Sequence, residues 1–478
     1  MKWFCGTLVV LSFVFCLELP AQSSRPNILL IVSDDHGYAD QSRLGIHRNV
    51  KTPAIDKLAR QSVRFSQAYV TGPICNTSRL GLLTGQNQAR FGAYWYGQGK
   101  IPAATPTIAS GLKSVGYNTG YIGKLHYGRD NPDLYSWPTQ HGFDECFVAT
   151  GGRIHYLQHG ENLKDQFGAA AARMAMQPVW NNETPVKQWQ GYMTEEIGTR
   201  ARSFIENHYQ DEHPFFLQVA FTAVHNFTWQ LPDRYLRKHN LPKFPDWDPE
   251  KQTYYEWYDG VIMPNLPHGR EYYLTQLHYL DLEIKRLMTT LERLKLDKNT
   301  VVIYTTDNGG STCNFGDNTP LRGTKYTLFE GGVRVPLFVR WPEKLPHNVV
   351  RDQVVSSMDL MPTLHNIAGV EAEHWRHCDG ADIWSILLDG KGSGHATLHW
   401  DCGHQWSIRD GDWKLKVIAN AEATERQNKH EHCDSGKGTE LYNLAMDPAE
   451  TKNLAEQYPD IAMRLNQLHQ RWKTQIKP

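Results

Sequence analysis

A cysteine and an arginine stand one helical turn apart in the segment CNTSRLGLLTG, which begins at Cys75 and places Arg79 four residues later. The hydroxyls of Thr77 and Ser78 can cap a helix N-terminus, so a short helix is predicted to begin here. A thiol at the N-terminus of a helix has a lowered pKa and can act as a nucleophile. The alternative is a half-buried structural cysteine, which is the usual situation of a lone thiol.

Two pairs of oxygen ligands follow apolar segments that are predicted to be buried strands. Asp34 and Asp35 end the segment NILLIVSDD, and Asp307 and Asn308 follow TVVIYTT. Carboxylate and amide oxygens suit Ca²⁺ or Mg²⁺ better than zinc. Solvated turns carry the same residue types, and it is the position at strand ends, where α/β sheets bind their ligands, that favours a metal site.

Basic side chains follow other predicted strands or lie in a glycine-flanked loop. Lys124 and His126 occur in IGKLHYG, and His225 ends PFFLQVAFTAVH. Lys325 lies in the loop LRGTKYTLFEGGVRVP. Cations around a divalent metal indicate an oxyanion substrate, which they would bind through charge-assisted hydrogen bonds. Any one of them alone would be interpreted as an ordinary surface residue.

The segments that must position these residues alternate between strand and helix patterns. Apolar residues at helical spacing in TPAIDKLARQSVRF, TPTIASGLKS, YYLTQLHYLDLEIKRLMTTLERLKL and SMDLMPTLHNIAGV predict helices between short apolar runs. This alternation predicts an α/β fold in which helices sandwich a mostly parallel central sheet. Such a sheet binds its ligands outside the carboxyl ends of its strands, which is where the polar residues would lie.

The pattern of the sequence changes near residue 394. ATLHWDCGHQWSIRDGDWKLKVIAN predicts two short strands around a tight Asp-Gly turn. TELYNLAMDPAETKNLAEQ predicts a strand, a turn and a short helix, followed by a terminal amphipathic helix. We therefore predict a main α/β domain over residues 23–393 and a smaller α+β subdomain over residues 394–478.

The overall charge indicates which partners the protein does not have, and the N-terminal segment indicates its location. A formal net charge of -1 over 478 residues gives no electrostatic case for nucleic acid as a partner. Residues 1–22 combine Lys2 with the apolar run FCGTLVVLSFVFCLEL, which predicts a cleaved secretory signal and an exported protein, periplasmic or extracellular. An uncleaved anchor is the alternative, and no transmembrane segment is predicted after the signal.

The cysteines favour neither a zinc site nor a redox site. Of 8 cysteines, 6 lie beyond the predicted signal, and none has the spacing CxxC. One or two disulfides are possible in an exported protein, without an assignable pairing.

Several motifs occur together in an order that resembles the formylglycine-dependent sulfatases of the alkaline-phosphatase-like superfamily. CNTSRLGLLTG resembles the family signature of a cysteine, a variable residue, usually a proline, another residue and an arginine. PNILLIVSDDHGYAD and TTDNGG look like the two metal-binding motifs, and GYIGKLHYG resembles the Gly-Lys-x-His segment. GTKYTLFEGGVRVP looks like the lysine loop, and ELYNLAMDPAETKNLAEQ looks like part of the usual C-terminal subdomain. The resemblance covers nearly the whole chain after the N-terminal segment.

This resemblance implies a sulfuric ester hydrolase. A maturation enzyme would oxidise Cys75 to formylglycine, and the hydrated aldehyde would attack sulfur as a gem-diol held on a calcium ion. The second hydroxyl would then expel sulfate and regenerate the aldehyde. The resemblance assigns the metal to Asp34, Asp35, Asp307, Asn308 and the modified Cys75.

The roles of the basic residues are implied in the same way. Arg79 would stabilise the hydrated aldehyde, and three cations would bind the sulfate oxygens, namely Lys124, His225 and Lys325. Either His225 or Lys325 would protonate the leaving oxygen, and His126 would act as the base for sulfate expulsion.

Two positions depart from the family pattern and leave alternatives open. Thr77 stands where proline or alanine is usual in the motif that the maturation enzyme reads. The segment AVHNF has no proline beside His225, where the family often has a proline or a polar residue. One alternative is a phosphate ester hydrolase of the same superfamily, which the cysteine and arginine at the maturation spacing disfavour. The other is a non-catalytic protein that binds sulfated glycan, which only Thr77 favours.

Aromatic segments bear on the substrate. AYWYG, GGRIHYLQHG and the long segment after His225 are rich in tryptophan and tyrosine, whose rings could stack on sugars. Together with the predicted export, they favour a sulfated carbohydrate, a poly- or oligosaccharide, over a small aryl sulfate or a steroid sulfate. The competing interpretation of the long segment is a surface insertion with its own aromatic cluster.

Overall fold

The computed structural model describes residues 25–127, 136–152, 154–160, 179–186, 188–245, 247–248, 250–431 and 433–476. The predicted secretory signal, residues 1–22, lies outside them. None of the helices in these ranges is both long and apolar enough to cross a membrane.

The described residues contain sixteen strands. In chain order they are β1 (Asn27–Ser33), β2 (Val63–Tyr69), β3 (Asn118–Lys124), β4 (Glu145–Ala149), β5 (Gln158–Gly160), β6 (Val179–Asn181), β7 (Thr184–Pro185), β8 (Gln188–Gln190), β9 (Phe215–Ala220), β10 (Thr300–Thr306), β11 (Leu337–Arg340), β12 (Val349–Ser356), β13 (Thr397–Asp401), β14 (Gln405–Asp410), β15 (Trp413–Ile418) and β16 (Thr439–Asn443).

Twelve α-helices accompany these strands in the described ranges. They are α1 (Pro53–Arg60), α2 (Cys75–Thr84), α3 (Ile108–Ser114), α4 (Met193–His208), α5 (Asp233–Lys238), α6 (Tyr254–Val261), α7 (Gly269–Arg293), α8 (Glu330–Val333), α9 (Leu360–Ala368), α10 (Trp384–Asp389), α11 (Ala421–Glu431) and α12 (Pro459–Gln475).

The four helices predicted between the apolar runs of the α/β region are present, but one ends earlier than the sequence pattern indicated. Helix α1 stops at Arg60, and Val63, whose spacing fitted that helix, is the first residue of β2. Val63 pairs with Val339 on one side and Val349 on the other, so its place in the sheet decides its conformation.

Ten strands form one sheet, in the spatial order β12-β2-β11-β10-β1-β9-β3-β4-β6-β7. The pairings from β10 through β1, β9 and β3 to β4 are parallel, as is the pairing of β12 with β2. The other pairings in this sheet are antiparallel. The sheet is therefore mixed with a parallel centre, which confirms the predicted α/β fold with a mostly parallel central sheet.

Helices cover both faces of this sheet. Along β1, Leu29 and Ile31 pack in the apolar cluster that includes side chains of α1, α4 and α7. Leu30 and Val32 point the other way and pack in the cluster that includes side chains of α3 and α9. Because β1 is apolar on both faces, it belongs at the centre of a sandwich, and its polar continuation emerges at the edge of the sheet.

A second, antiparallel sheet contains β13, β14, β15 and β16, and α12 packs against it. A tight turn through Gly411, which has a φ of 58°, joins β14 and β15 as the sequence predicts. The short helix predicted after β16 is wrong. There, Asp447 accepts hydrogen bonds from the backbone N–H groups of Thr451 and Lys452, so a side chain replaces the helical carbonyl partners. The domain boundary at residue 394 stays a prediction.

Buried charges join the second sheet to the central one. Lys414 on β15 is fully buried and lies 2.9 Å from Glu330 Oε1 and 3.0 Å from Glu450 Oε1. Glu450 Oε2 also accepts a hydrogen bond from the backbone N–H of Glu330 at 2.6 Å. Burial opposes ionisation of Glu330, but Lys414 holds the pKa of that carboxyl below its usual value. Burial raises the pKa of Glu450 to about 7.

We expect Glu450→Gln to remove a pH dependence of stability. Since the pKa of Glu450 is about 7 in the folded protein and near 4.5 in the unfolded chain, the folded state holds this proton more tightly. The stabilisation that comes from this tighter proton binding is fully present below pH 4.5 and is lost as the pH rises through 7. At each pH, the free energy of unfolding of the wild type can be subtracted from that of Glu450→Gln. This difference should rise by on the order of 2 kcal/mol between pH 5 and pH 8.

Urea unfolding of both proteins at several pH values measures this difference. Glu292→Gln, at an exposed position on α7, is the control and should show a difference that does not change with pH. A constant difference for Glu450→Gln as well would contradict the raised pKa.

Candidate active site

The predicted metal-binding residues lie together at the carboxyl edge of the central sheet. Strands β1 and β10 pair in parallel, with Ser33 opposite Thr306, so the residues that follow the two strands are neighbours. Asn308 Nδ2 donates to Asp35 Oδ1 at 2.7 Å, and the backbone N–H of Asp35 donates to Asp307 Oδ1 at 3.3 Å. The register of two strands thus brings both pairs of oxygen ligands into contact.

Lys124 and His225 reach the same edge from β3 and β9. Lys124 is the last residue of β3, and its Nζ lies 2.6 Å from Asp34 Oδ2. His225 follows β9 after a short turn, and its Nε2 lies 3.6 Å from Asp35 Oδ2. Because β9 lies between β1 and β3, the polar residues at the ends of neighbouring parallel strands meet.

Cys75 is the first residue of α2 and is buried against these acids. Its Sγ lies 3.5 Å from Asp34 Oδ1 and 3.4 Å from Lys124 Nζ. The predicted hydroxyl caps are not formed, because Thr77 Oγ1 donates to the carbonyl oxygen of Ile74 instead. The expected lowering of the thiol pKa is also wrong, since burial and the neighbouring carboxylates raise the pKa of Cys75 despite the nearby lysines.

Glycines allow the chain before α2 to run tightly against the helix. A Cβ at Gly72 would lie 2.3 Å from Thr77 Oγ1, and one at Gly81 would lie 2.4 Å from Thr71 Oγ1. Gly85 ends the helix with a φ of 64°. These close approaches fix where α2 begins, and therefore where Cys75 stands.

Arg79 lies one turn along α2 and faces the same acids. Its Nε and Nη2 lie 2.9 Å and 2.8 Å from Asp307 Oδ2, and its Nη1 donates to the carbonyl oxygen of Lys124 at 3.1 Å. Burial opposes ionisation of Asp307, but Arg79 and Lys124 outweigh it and hold the pKa of Asp307 at about 2. Burial and the charge of Asp307 raise the pKa of Asp34 to about 7. Arg79 therefore keeps one acid of the cluster ionised.

Lys325 and His126 complete the set of predicted residues. Lys325 Nζ donates to Asp35 Oδ2 at 2.8 Å. His126 follows β3 and is buried against Gly152, where a Cβ would lie 3.0 Å from the imidazole ring. Burial and the charge of Lys124 lower the pKa of His126, so the imidazole is neutral and can accept a proton.

The cluster fits a hard divalent cation. Asp34, Asp35, Cys75 and His225 offer ligand atoms that all lie within 4.8 Å of one another. Asn308 Oδ1 is buried and has no hydrogen-bond partner among the described residues, which leaves an acceptor free beside the carboxylates. Oxygen donors with concentrated negative charge are what Ca²⁺ and Mg²⁺ prefer.

Three aromatic residues in the segment after His225 are core residues. Trp229, Trp257 and Tyr258 are buried in the same apolar cluster as α4 and α7, and the rings of the two tryptophans lie 5.5 Å apart. They therefore do not form a wall on which a sugar could stack. The competing interpretation, an aromatic cluster, describes them better, although the cluster belongs to the main core.

Two residues beside the site make contacts that the sequence pattern does not reveal. Asn76 Nδ2 donates to the carbonyl oxygens of Trp95 and Gln98 at 3.3 Å and 3.2 Å. His36 Nδ1 lies 2.6 Å from the hydroxyl of Tyr304, which ties the end of β1 to β10. Their adjacency in sequence to the predicted nucleophile and metal ligands is the one signal that could have singled them out.

The second sheet holds the loop that carries Lys325. Gln405 Nε2 donates to the carbonyl oxygen of Tyr326 at 2.8 Å. The loop ends at Glu330, which Lys414 binds through the buried ion pair described above. The position of Lys325 therefore depends on residues that follow it by 80 positions or more in the chain.

The other cysteines described here take no part in this cluster. Cys146, Cys378 and Cys402 are free thiols, like Cys75. The disulfides considered possible from sequence therefore do not involve these four residues.

Profiles of known protein families match almost the whole described chain. The profile named Sulfatase matches residues 26–370. A second profile, described as N-sulphoglucosamine sulphohydrolase, C-terminal, matches residues 324–477.

Individual relatives are similar over more than nine tenths of the chain. The chain is 29% identical to arylsulfatase J of Mus musculus over 494 residues, which cover 93% of this chain and 75% of that protein. It is also 29% identical to the N-acetylgalactosamine-6-O-sulfatase of Bacteroides thetaiotaomicron over 515 residues, covering 95% and 94% of the two chains. The solved structure of Ps i-CgsB in complex with k-i-k-neocarrahexaose superposes with a TM-score of 0.76 at 26% identity, covering 94% and 93%.

Proposed function

The chain belongs to the sulfatase family of sulfuric ester hydrolases, and on that premise we propose that it removes sulfate from a sulfated poly- or oligosaccharide. The cluster of Cys75, Arg79, Lys124 and Lys325 around three carboxylates is the observation that carries the proposal. The names of two similar proteins support the substrate class, since one is an N-acetylgalactosamine-6-O-sulfatase and the other was solved with a neocarrahexaose.

The nucleophile in this proposal is a modified Cys75. A formylglycine-generating enzyme converts the CH₂–SH group of Cys75 to an aldehyde, with an external oxidant such as dioxygen taking up the electrons and the sulfur leaving as sulfide. Water then adds to the aldehyde and gives a gem-diol. One hydroxyl loses its proton to solvent and attacks sulfur, the sugar oxygen leaves, and residue 75 becomes a sulfate ester. The second hydroxyl loses its proton to His126, the aldehyde re-forms, and sulfate is expelled. Another water molecule then restores the gem-diol.

The surrounding cations neutralise the sulfate and supply the proton for the leaving group. Lys124, Lys325 and His225 bind sulfate oxygens, whose charge grows in the transition state. Either Lys325 or His225 gives its proton to the departing sugar oxygen. Arg79 stabilises the hydrated aldehyde from its place one turn along α2, where Asp307 holds the guanidinium.

A divalent cation completes the proposed site. We propose Ca²⁺, with Mg²⁺ as the alternative, held by the ligands Asp34, Asp35, Asp307, Asn308 and the modified residue 75. When bound, the cation makes the gem-diol hydroxyl more acidic and offsets the charge of the sulfate.

The proposal is tested by sulfate release from chondroitin 6-sulfate and carrageenan oligosaccharides, with p-nitrophenyl sulfate as a small reference substrate. We expect turnover of at least one saccharide with a higher kcat/KM than the aryl ester. A preference for p-nitrophenyl phosphate over every sulfate ester would instead favour the phosphate ester hydrolase. Binding of the saccharides without any release would favour the non-catalytic glycan-binding protein.

Removing the metal should abolish turnover and lower thermal stability. Without the cation, the carboxylates repel each other in a buried site, so the melting temperature should fall by several degrees. Dialysis against a chelator followed by addition of Ca²⁺ or Mg²⁺ measures both effects and identifies the metal that restores them. Unchanged activity and melting temperature after chelation would contradict a metal site at these residues.

We also propose that the protein is exported to the periplasm or the extracellular space. The N-terminal pattern of Lys2 and an apolar run supports this location. Export fits a substrate class found outside cells. N-terminal sequencing of the protein from its own host tests cleavage near residue 22.

A further inference from the structure

We propose that Trp95, Tyr96 and His404 form a binding surface for the sugar unit linked to the one that carries the reacting sulfate. This inference rests on the proposed function and specifies how the site would recognise a chain of sugars. It assigns part of the recognition to the second sheet, because His404 precedes β14.

The rings lie in sequence from the buried centre of the site to the surface. Lys325 Nζ lies 5.3 Å from the centre of the Tyr326 ring, which is 6.3 Å from that of Trp95. The Trp95 ring lies 4.6 Å from that of His404 and 5.7 Å from that of Tyr96. Tyr326 is 8% exposed and Tyr96 is 48% exposed, with Trp95 and His404 between them. The aromatic surface therefore begins beside a sulfate-binding lysine and leads outward.

The segment that carries Trp95 is held rigidly against the nucleophile. Asn76, the neighbour of Cys75, donates to the carbonyl oxygens of Trp95 and Gln98. Gln98 Oε1 in turn accepts hydrogen bonds from the backbone N–H groups of Tyr94 and Trp95, at 3.2 Å and 3.1 Å. A ring that is already fixed loses little conformational freedom on binding, which favours recognition.

His404 is fixed from the side of the second sheet. Its carbonyl oxygen accepts hydrogen bonds from the N–H groups of Ala419 and Asn420, both at 2.9 Å. The preceding Gly403 has a φ of 78°, and Asp401 Oδ1 accepts its N–H at 2.8 Å. The imidazole therefore contacts Trp95 from a rigid turn, with the two rings nearly perpendicular at an interplanar angle of 86°.

Polar acceptors lie next to these rings. Asn76 Oδ1 and Gln405 Oε1 are buried and have no hydrogen-bond partner among the described residues. The amide nitrogens of the same two side chains hold the carbonyl oxygens of Trp95 and Tyr326. Aromatic rings with a few convergent polar groups are typical of small-molecule sites. The C–H faces of a sugar can pack on the rings, and its hydroxyls can donate to the polar acceptors.

A role in binding the neighbouring sugar can be distinguished from a role in the catalytic centre by comparing saccharide substrates with a small aryl sulfate. A sugar next to the sulfated one would reach Trp95, whereas a small aryl sulfate would reach only the basic residues. Trp95→Ala should therefore lower kcat/KM for a chondroitin 6-sulfate tetrasaccharide or a carrageenan hexasaccharide about tenfold more than for p-nitrophenyl sulfate. We expect most of this decrease in kcat/KM to come from a higher KM for the saccharide.

Two further variants accompany Trp95→Ala: one removes a second ring of the proposed surface, and the other is the control for unspecific damage. Tyr96→Ala, at an exposed position, should also lower kcat/KM for the saccharides relative to kcat/KM for p-nitrophenyl sulfate, but by a smaller factor than Trp95→Ala. Tyr209→Ala, on an exposed ring after α4, should leave both substrates unchanged. Equal losses for the saccharides and p-nitrophenyl sulfate in Trp95→Ala would overturn the proposal, because they would indicate a displaced Lys325. A wild type that prefers p-nitrophenyl sulfate to both saccharides would overturn it as well.

Failure of the proposed function is recognised separately. If the wild type releases sulfate from none of these esters, the proposed function is wrong. Calorimetric titration with the same saccharides then tests whether Trp95 belongs to a sugar-binding surface. A weaker Kd for Trp95→Ala than for the wild type would support the surface, and equal or absent binding would overturn it.

Discussion

Replacing Cys75 with alanine is expected to reduce sulfate release by about 10⁴-fold or more, since it removes the nucleophile. The side chain is buried, with Sγ 3.5 Å from Asp34 Oδ1 and 3.4 Å from Lys124 Nζ, and it supplies the thiol in the group of potential metal ligands found among the described residues. Alanine is too small to disturb α2, so the saccharide should still bind. Sulfate release and calorimetric binding, measured on the same preparation, separate the two effects.

Cys146→Ala is the matched control. Cys146 is also a buried free thiol, but it lies on β4 and makes no contact with the acids in the structure described here. Its replacement should leave kcat/KM within about twofold of the wild type. Residual turnover of Cys75→Ala above one hundredth of the wild type would mean that a different group attacks sulfur.

Replacing Lys414 with methionine should cost about 3–5 kcal/mol in the free energy of unfolding. Methionine has a similar length, so the change removes a charge and leaves the packing largely intact. The carboxylates of Glu330 and Glu450, which lie 2.9 Å and 3.0 Å from the ammonium, would then be buried without it. Because Glu330 ends the loop of Lys325, kcat/KM should fall as well.

Urea denaturation measures the loss of stability at neutral pH. Lys57→Met is the control, because Lys57 forms an exposed ion pair with Glu292 at 3.1 Å and its loss should cost less than about 1 kcal/mol. Adding Glu330→Gln and Glu450→Gln to Lys414→Met should restore much of the stability, since the two side chains that lost the ammonium are then neutral. A cost for Lys414→Met as small as that for Lys57→Met would show that the ion pair does not join the two sheets.

Much of the fold and of the site could be predicted from the sequence because both depend on local patterns. The apolar run of β1 fixes a buried strand, and the parallel pairing of β1 with β10 places Asp35 beside Asp307. The expectation that polar strand ends meet needs only the geometry of a parallel sheet. The positions of Lys124 and His225 follow from the same rule.

Contacts between distant segments could not be predicted in this way. In WKLKVI the lysines alternate with apolar residues, a pattern typical of a strand with one solvated face, yet Lys414 and Lys416 are both fully buried. Their carboxylate partners, Glu330 and Glu440, come from separate segments of the chain. The raised pKa of Cys75 escaped prediction for the same reason, because burial by tertiary neighbours outweighs the effect of the helix N-terminus.

The state of residue 75 in the purified protein decides between a formylglycine enzyme and a thiol protein. We would express the chain in a host with a maturation enzyme and analyse the tryptic peptide of residues 65–79, FSQAYVTGPICNTSR, by mass spectrometry. We expect the mass of the aldehyde or of its hydrate, which would also show that the maturation enzyme accepts Thr77. An unmodified thiol, in a host that matures other sulfatases, would contradict the proposed mechanism.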